Sequence, residues 1–172
     1  MQAITDTKHL TVQTLPPILV LTGEDVGQFE WLKKDILKKI GYDPSDLNYS
    51  YFDMKEASYA EVELDLVSLP FFADEKIVIL DHLLDLTTAK KRYLTDEDLK
   101  QFENYLENPS ESTRLVIFAE GKLDSKRRLV KLLKRDAQII EATTPKEQEV
   151  KRYFASQAQE LGLQFVGDSL DQ

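Results

Sequence analysis

The stretch "ILVLTGEDVGQFEWLKKDIL", Ile18 to Leu37, decides how the rest of the chain is read. With Pro16 and Pro17 it opens as "PPILVLTG", an apolar strand entered from proline and closed by Gly23, the pattern of a strand covered on both faces. The second half places Phe29, Leu32, Ile36 and Leu37, then Ile40, at helical intervals, with Gly41 as a stop. Strand, glycine turn and helix in succession form the building unit of a parallel sheet.

In a sheet of this kind that used ATP, the same turn would read GxxxxGK[ST]. Its backbone amides would cradle phosphate, its lysine would meet the β- and γ-oxygens, and its hydroxyl would hold magnesium. Here three residues separate Gly23 from Gly27, Gln28 follows, and Glu24 and Asp25 put two carboxylates at the helix start. Those groups would cap the helix and repel phosphate. A nucleotide hydrolase with an unusual loop is the enzyme alternative; titration with ATP and magnesium separates it from a non-catalytic chain.

Outward from this unit the alternation continues. "LNYSYFDM" alternates as a strand with Tyr51 and Phe52 at its apolar end, and "SYAEVELDLVSL" reads as a helix capped by Ser58 with Glu61 completing a capping box. "KIVIL" is a second wholly apolar strand, "DHLLDLTTAKKRYL" a connector, and "TDEDLKQFENYLENP" a helix begun by Thr95 or Asp96 and ended by Pro109. "TRLVIFAEG" is a third apolar strand, "LDSKRRLVKLLKR" a helix with Leu129, Val130, Leu132 and Leu133 on its apolar side, and "AQIIEA" a short strand. A last helix opens at Thr144 and Pro145 and stops at Gly162. The expected fold class is α/β, a five-stranded parallel RecA-type sheet with helices on both faces. The expected organisation is an extension over 1–14, the sheet domain over 15–142, and over 143–172 the truncated start of a helical second domain.

Composition narrows function further. The 172 residues carry 31 acidic and 22 basic side chains, a net charge of −9, which disfavours autonomous gripping of nucleic acid. The absence of cysteine excludes disulfides and thiolate metal sites and suits a reducing, cytoplasmic setting. No apolar run approaches the ~20 residues of a membrane span. The two histidines, His9 and His82, lie far apart and outside any metal-ligand spacing; no metal or other cofactor is expected. Asp81, at the end of a strand where a magnesium acid can sit, reads more simply as a cap for the next turn. Lys122, Lys126, Arg127, Arg128, Lys131, Lys134 and Arg135 read as one basic helix, either a solvated face or a surface for DNA or an acidic partner.

Leu69, Pro70, Phe71 and Phe72 remain, four apolar residues where a polar turn belongs. As core they would fold under the sheet. As neighbours in an extended segment, however, the two rings point oppositely, and Pro70 stiffens the segment, which suits a plug for a partner's apolar pocket. The residues alone leave both readings open.

The order of these segments resembles the family of delta subunits of the bacterial DNA polymerase III clamp loader. The resemblance is carried by "ILVLTGEDVGQFEWLKKDIL", by "DLVSLPFFADEKIVIL" and by "RLVIFAEGKLDSKRRLVKLLKR". It implies an AAA+-like first domain without a working phosphate loop, in a non-catalytic subunit that binds the sliding clamp, the beta subunit, and opens its ring. By position it implies that Phe71 and Phe72 are the inserted pair, with Leu69 and Pro70 shaping the turn, Leu69 anchoring it from below. It further implies contacts with the other loader subunits through a C-terminal domain beyond Gln172, and with DNA only in the assembled loader. On the basic helix, Lys126, Arg127, Arg128 and Lys131 are the candidates for a DNA or partner surface.

Overall fold

Side chains along each strand point alternately to two separate cores, and that alternation builds the sheet. In the computed structural model, which describes residues 10, 11, 14–70 and 74–143, β1 is Ile18–Gly23. It sends Ile18 and Val20 to one face and Leu19 and Leu21 to the other. β2 (Tyr49–Asp53), β3 (Lys76–Asp81), β4 (Thr113–Glu120) and β5 (Gln138–Ala142) complete a five-stranded sheet in the order β2-β3-β4-β1-β5. Every pairing in it is parallel. β1, β3 and β4 have neighbours on both sides, which is why their sequences are almost wholly apolar. The edge strand β2 is correspondingly mixed, and its Tyr51 is partly exposed.

Among the described residues, four α-helices supply the covering layers. α1 (Val26–Lys39) packs Phe29, Leu32 and Ile36 on Leu19, Leu21, Ile79 and Phe118, together with Leu10 and Leu15 from the chain before β1. α2 (Tyr59–Val67), α3 (Asp96–Glu107) and α4 (Arg128–Asp136) cover the opposite face, burying Val62, Leu66, Phe102, Leu106, Val130 and Leu133 against Val20, Val78, Leu80 and Ile117. The expected α/β sheet with helices on both faces is therefore the observed one. Leu10, within the stretch read as an extension, is itself buried. The expected last helix and the 143–172 unit lie, but for Thr143, outside the described residues.

Local chemistry sets the element boundaries. β1 begins at Ile18 rather than Pro16, because prolines have no N–H to give; the Pro17 carbonyl accepts from Leu115 N–H at 2.9 Å. Ser58 caps α2 through Glu61 N–H at 3.3 Å, and Thr95 caps α3 in a reciprocal box with Asp98. α4 starts later than the sequence suggests. Leu123 pairs with Thr87 in an isolated bridge, Asp124 accepts Lys126 N–H at 3.1 Å in the turn that follows, and Arg127 is the N-cap. The basic run is thus split between a turn and a helix.

Candidate functional site

A buried ammonium fixes the C-terminal end of α2. Lys76 is 5% exposed, and its Nζ donates to Asp65 Oδ1 at 2.8 Å and to Ser68 Oγ at 2.5 Å. Ser68 Oγ donates on to the Asp65 carbonyl at 3.1 Å, and Thr113 Oγ1 to the Leu66 carbonyl at 3.1 Å. The positive charge lies against the C-terminal end of α2, where the helix dipole and otherwise unpaired carbonyls favour it. These contacts fasten the helix end to β3 and β4.

From that fixed end the chain shows apolar side chains to solvent. Leu64 is 71% exposed, Val67 56% and Leu69 76%. The expectation that Leu69 anchors the turn from below is corrected: Leu69 faces outward, and Lys76 holds the end of α2 just before it. Pro70 is half-buried, and Phe71 and Phe72 lie outside the described residues. Leu64 and Val67 were not singled out in the sequence, although a signal was present. Tyr59, Val62 and Leu66 already supply a complete inner stripe, so further apolar residues three apart must face outward.

The carboxyl ends of the strands form the second place of interest, since ligands of open parallel sheets bind there. Gly23 and Gly121 exchange backbone hydrogen bonds of 2.9 and 2.7 Å, and Thr22 Oγ1 donates to the Gly121 carbonyl at 2.9 Å. A Cβ on Gly23 would stand 2.2 Å from the Ala142 carbonyl oxygen, and the residue's φ of +126° is one that L side chains rarely adopt. β1, β4 and β5 are thereby laced together where a phosphate loop would open. Asp25 caps α1, its Oδ1 accepting Gln28 N–H at 3.0 Å, so a carboxylate already occupies the helix N-terminus.

Beside it, Asp81 does more than cap a turn. It is 3% exposed, receives Lys33 Nζ at 2.6 Å and the Tyr51 hydroxyl on Oδ2, and accepts His82 N–H on Oδ1 at 2.9 Å. Burial, reinforced by the bond to Asp81, pushes the Tyr51 phenol well above its ordinary range. His82 sits at the strand end at φ +58°, with Nδ1 3.0 Å from Asp53 Oδ1. The bond from Lys55 N–H, with help from His82, holds the Asp53 carboxyl below its usual range. A cleft of about 490 Å³ opens here, lined by Glu24, Lys55, His82, Leu84, Ala89, Glu120 and Gly121.

The basic residues fall into two sets. Arg128 bonds Glu107 at 2.8 Å, Arg135 bonds Glu107 at 3.4 Å and Asp136 at 2.8 Å, and Lys134 donates to Ser125 at 2.7 Å. Asp136 and then Glu107 push the Arg135 guanidinium up from its ordinary value, and Arg127 lies 3.8 Å from Asp124. Arg128 and Arg135 therefore fasten α4 to α3. Lys126 and Lys131 are exposed, with no ion pair to another described residue.

Comparison with known proteins places the chain in one family and gives its fold. Residues 19–143 match the family described as "DNA polymerase III, delta subunit". The DNA polymerase III subunit delta of Bacillus subtilis (strain 168) is 27% identical over 137 residues, covering 78% of this chain and 40% of that protein. Among solved structures, the Bacillus subtilis DNA clamp loader delta protein superposes with a TM-score of 0.69 at 23% identity, covering 92% of this chain and 48% of that one. A gamma subunit-related protein of DNA polymerase III from Thermotoga maritima gives 0.52 at 15% identity, covering 90% and 50%. The chain thus spans about two fifths of the curated relative and half or less of each solved structure.

Proposed function

The chain belongs to the DNA polymerase III delta subunit family, and from that premise we propose that it binds the replicative sliding clamp through the apolar turn after α2. The observation that carries this reading is the exposure of Leu64, Val67 and Leu69 at a helix end fixed by Lys76. They lead directly into Pro70, Phe71 and Phe72. Exposed apolar residues leading into a proline suit an anchor for a partner's apolar pocket. Phe71 and Phe72 fill that pocket, and Leu69, Val67 and Leu64 extend the contact along the helix.

The chain acts through binding, without catalysis, in the cytoplasm and alongside the other loader subunits. Two features support the absence of nucleotide chemistry. The Asp25 carboxylate takes the place an anion would need at α1, and Lys33 already neutralises the acid at the end of β3. Ring opening follows if the turn fits an opened or distorted clamp interface better than a closed one, because only differential affinity shifts such an equilibrium.

Gel filtration of the chain with its cognate clamp tests this directly. Co-elution is expected for the natural sequence and not for the Phe71→Ala/Phe72→Ala double variant, whose thermal unfolding stays cooperative. Co-elution of the double variant would refute the proposal, and loss of cooperative unfolding would return both rings to the core.

A further inference from the structure

One edge of the sheet combines open backbone groups with a row of tyrosines. β2 has β3 as its neighbour on one side only. Ile77 N–H donates to the Asn48 carbonyl at 3.0 Å, and Met54 N–H to the Asp81 carbonyl at 2.8 Å. In that parallel register the backbone groups of Asn48, Ser50, Phe52 and Met54 meet β3, and those of Tyr49, Tyr51 and Asp53 point away from the sheet. Tyr49 N–H turns back to the Asp46 carbonyl at 3.1 Å, and the Asp53 carbonyl takes Glu56 and Ala57 N–H at 2.9 and 2.8 Å. The Tyr49 carbonyl, both groups of Tyr51 and the Asp53 N–H therefore have no backbone partner among the described residues. β2 also lacks the proline, lysine or bulge that blunts many edge strands.

The side chains beside this edge define what it would accept. The Tyr42 ring lies 5.9 Å from Tyr49 and 5.5 Å from Tyr51 between centroids, and Tyr51 is exposed while its hydroxyl is tied to Asp81. Carboxylates border the rings. Asp43 accepts Ser45 N–H at 3.0 Å, Asp46 accepts Asn48 N–H at 2.9 Å and Asp53 accepts Lys55 N–H at 3.0 Å. Among the described residues none of the three is ion-paired to a lysine or arginine. Burial, then Asp46 and Asp43, push the Tyr49 phenol up, which puts both charges near that ring.

We propose that β2 accepts an added strand from a partner protein, an extended segment with arginine or lysine at alternate positions. An antiparallel segment exchanges both backbone bonds with Tyr51 and reaches the Tyr49 carbonyl and the Asp53 N–H at its next bonding positions. Alternation puts its cations on the tyrosine face, against the rings and within reach of Asp43, Asp46 and Asp53. Charge selects this occupant, because an acidic segment, or the same edge of a second copy, would set carboxylate against carboxylate. The surface takes no residue from the apolar turn.

The test is NMR of the 172-residue chain titrated at ~50 mM salt with a short blocked peptide of alternating arginine and valine. Saturable binding is expected, with hydrogen exchange at the Tyr51 and Asp53 amides slowed about tenfold or more. The Asp43→Asn/Asp46→Asn variant keeps both turn acceptors and should bind the peptide about two- to tenfold more weakly. Phe71→Ala/Phe72→Ala should bind it as the natural chain does, so failure here and failure of the clamp reading are separate results. No saturable binding up to ~1 mM peptide, binding that leaves both amides unprotected, or unchanged affinity in the aspartate variant would each overturn the assignment. So would protection of the same amides that grows with the chain's own concentration in the absence of peptide, which would give the edge to a second copy.

Discussion

Replacing Lys76 with methionine keeps most of the buried volume and removes only the ammonium. In the native chain that group bonds Asp65 and Ser68 while 5% exposed, and the Asp65 side chain is 24% exposed. Breaking a fully buried pair costs about 3–5 kcal/mol, most of it for the charge left behind. The Asp65 side chain is partly exposed although its Oδ2 is buried without a partner, so the expected loss is at the lower end, about 3 kcal/mol, or a fall in Tm of about 6–12 °C for a chain of this size. Urea unfolding followed by circular dichroism should show a lower midpoint with an unchanged slope. Removing the orphaned charge in the Lys76→Met/Asp65→Asn double variant should recover part of the loss, giving a coupling of about 1–2 kcal/mol. A single-variant loss below ~0.5 kcal/mol, or no coupling, would refute the claim that this pair fastens the turn.

Other perturbations test the remaining parts. Gly23→Ala should cost more than about 3 kcal/mol or prevent folding, since its Cβ meets the Ala142 backbone at positive φ. Gly27→Ala, inside α1 with only Asp25 Oδ1 at 3.7 Å, should stabilise by about 0.5–1 kcal/mol in the same melts. Thr95→Ala should cost about 1 kcal/mol through loss of the α3 cap, measured by urea unfolding. Asp53 has a depressed folded pKa, so its contribution is present above the unfolded value of about 3.9 and is lost as pH falls through the folded one. The stability gap between the natural chain and Asp53→Asn should therefore be constant above pH ~5 and close on further acidification, as denaturant midpoints at several pH values would show.

Much of the fold was legible because it rests on local pattern. The runs around Val20, Ile79 and Val116 are apolar at every position because both sides of each residue's strand face a core. Thr95 and Asp98 announce a capping box from spacing alone. What escaped the sequence depends on distant groups. A lysine at the head of an apolar strand gives no sign that it points under a helix end, as Lys76 does. Asp81 resembled a cap because Lys33 stands far from it in sequence. The apolar turn was the reverse case: its chemistry was visible in Leu69 to Phe72, while its support was not.

The proposed clamp affinity of that turn is measured by calorimetric titration of the cognate clamp with the natural chain and with Phe71→Ala/Phe72→Ala. Two buried phenylalanines contribute about 3–6 kcal/mol, so a Kd about 10²- to 10⁴-fold higher is expected for the double variant, with native unfolding preserved. A Kd within about threefold of the natural chain's, in a folded double variant, would contradict it.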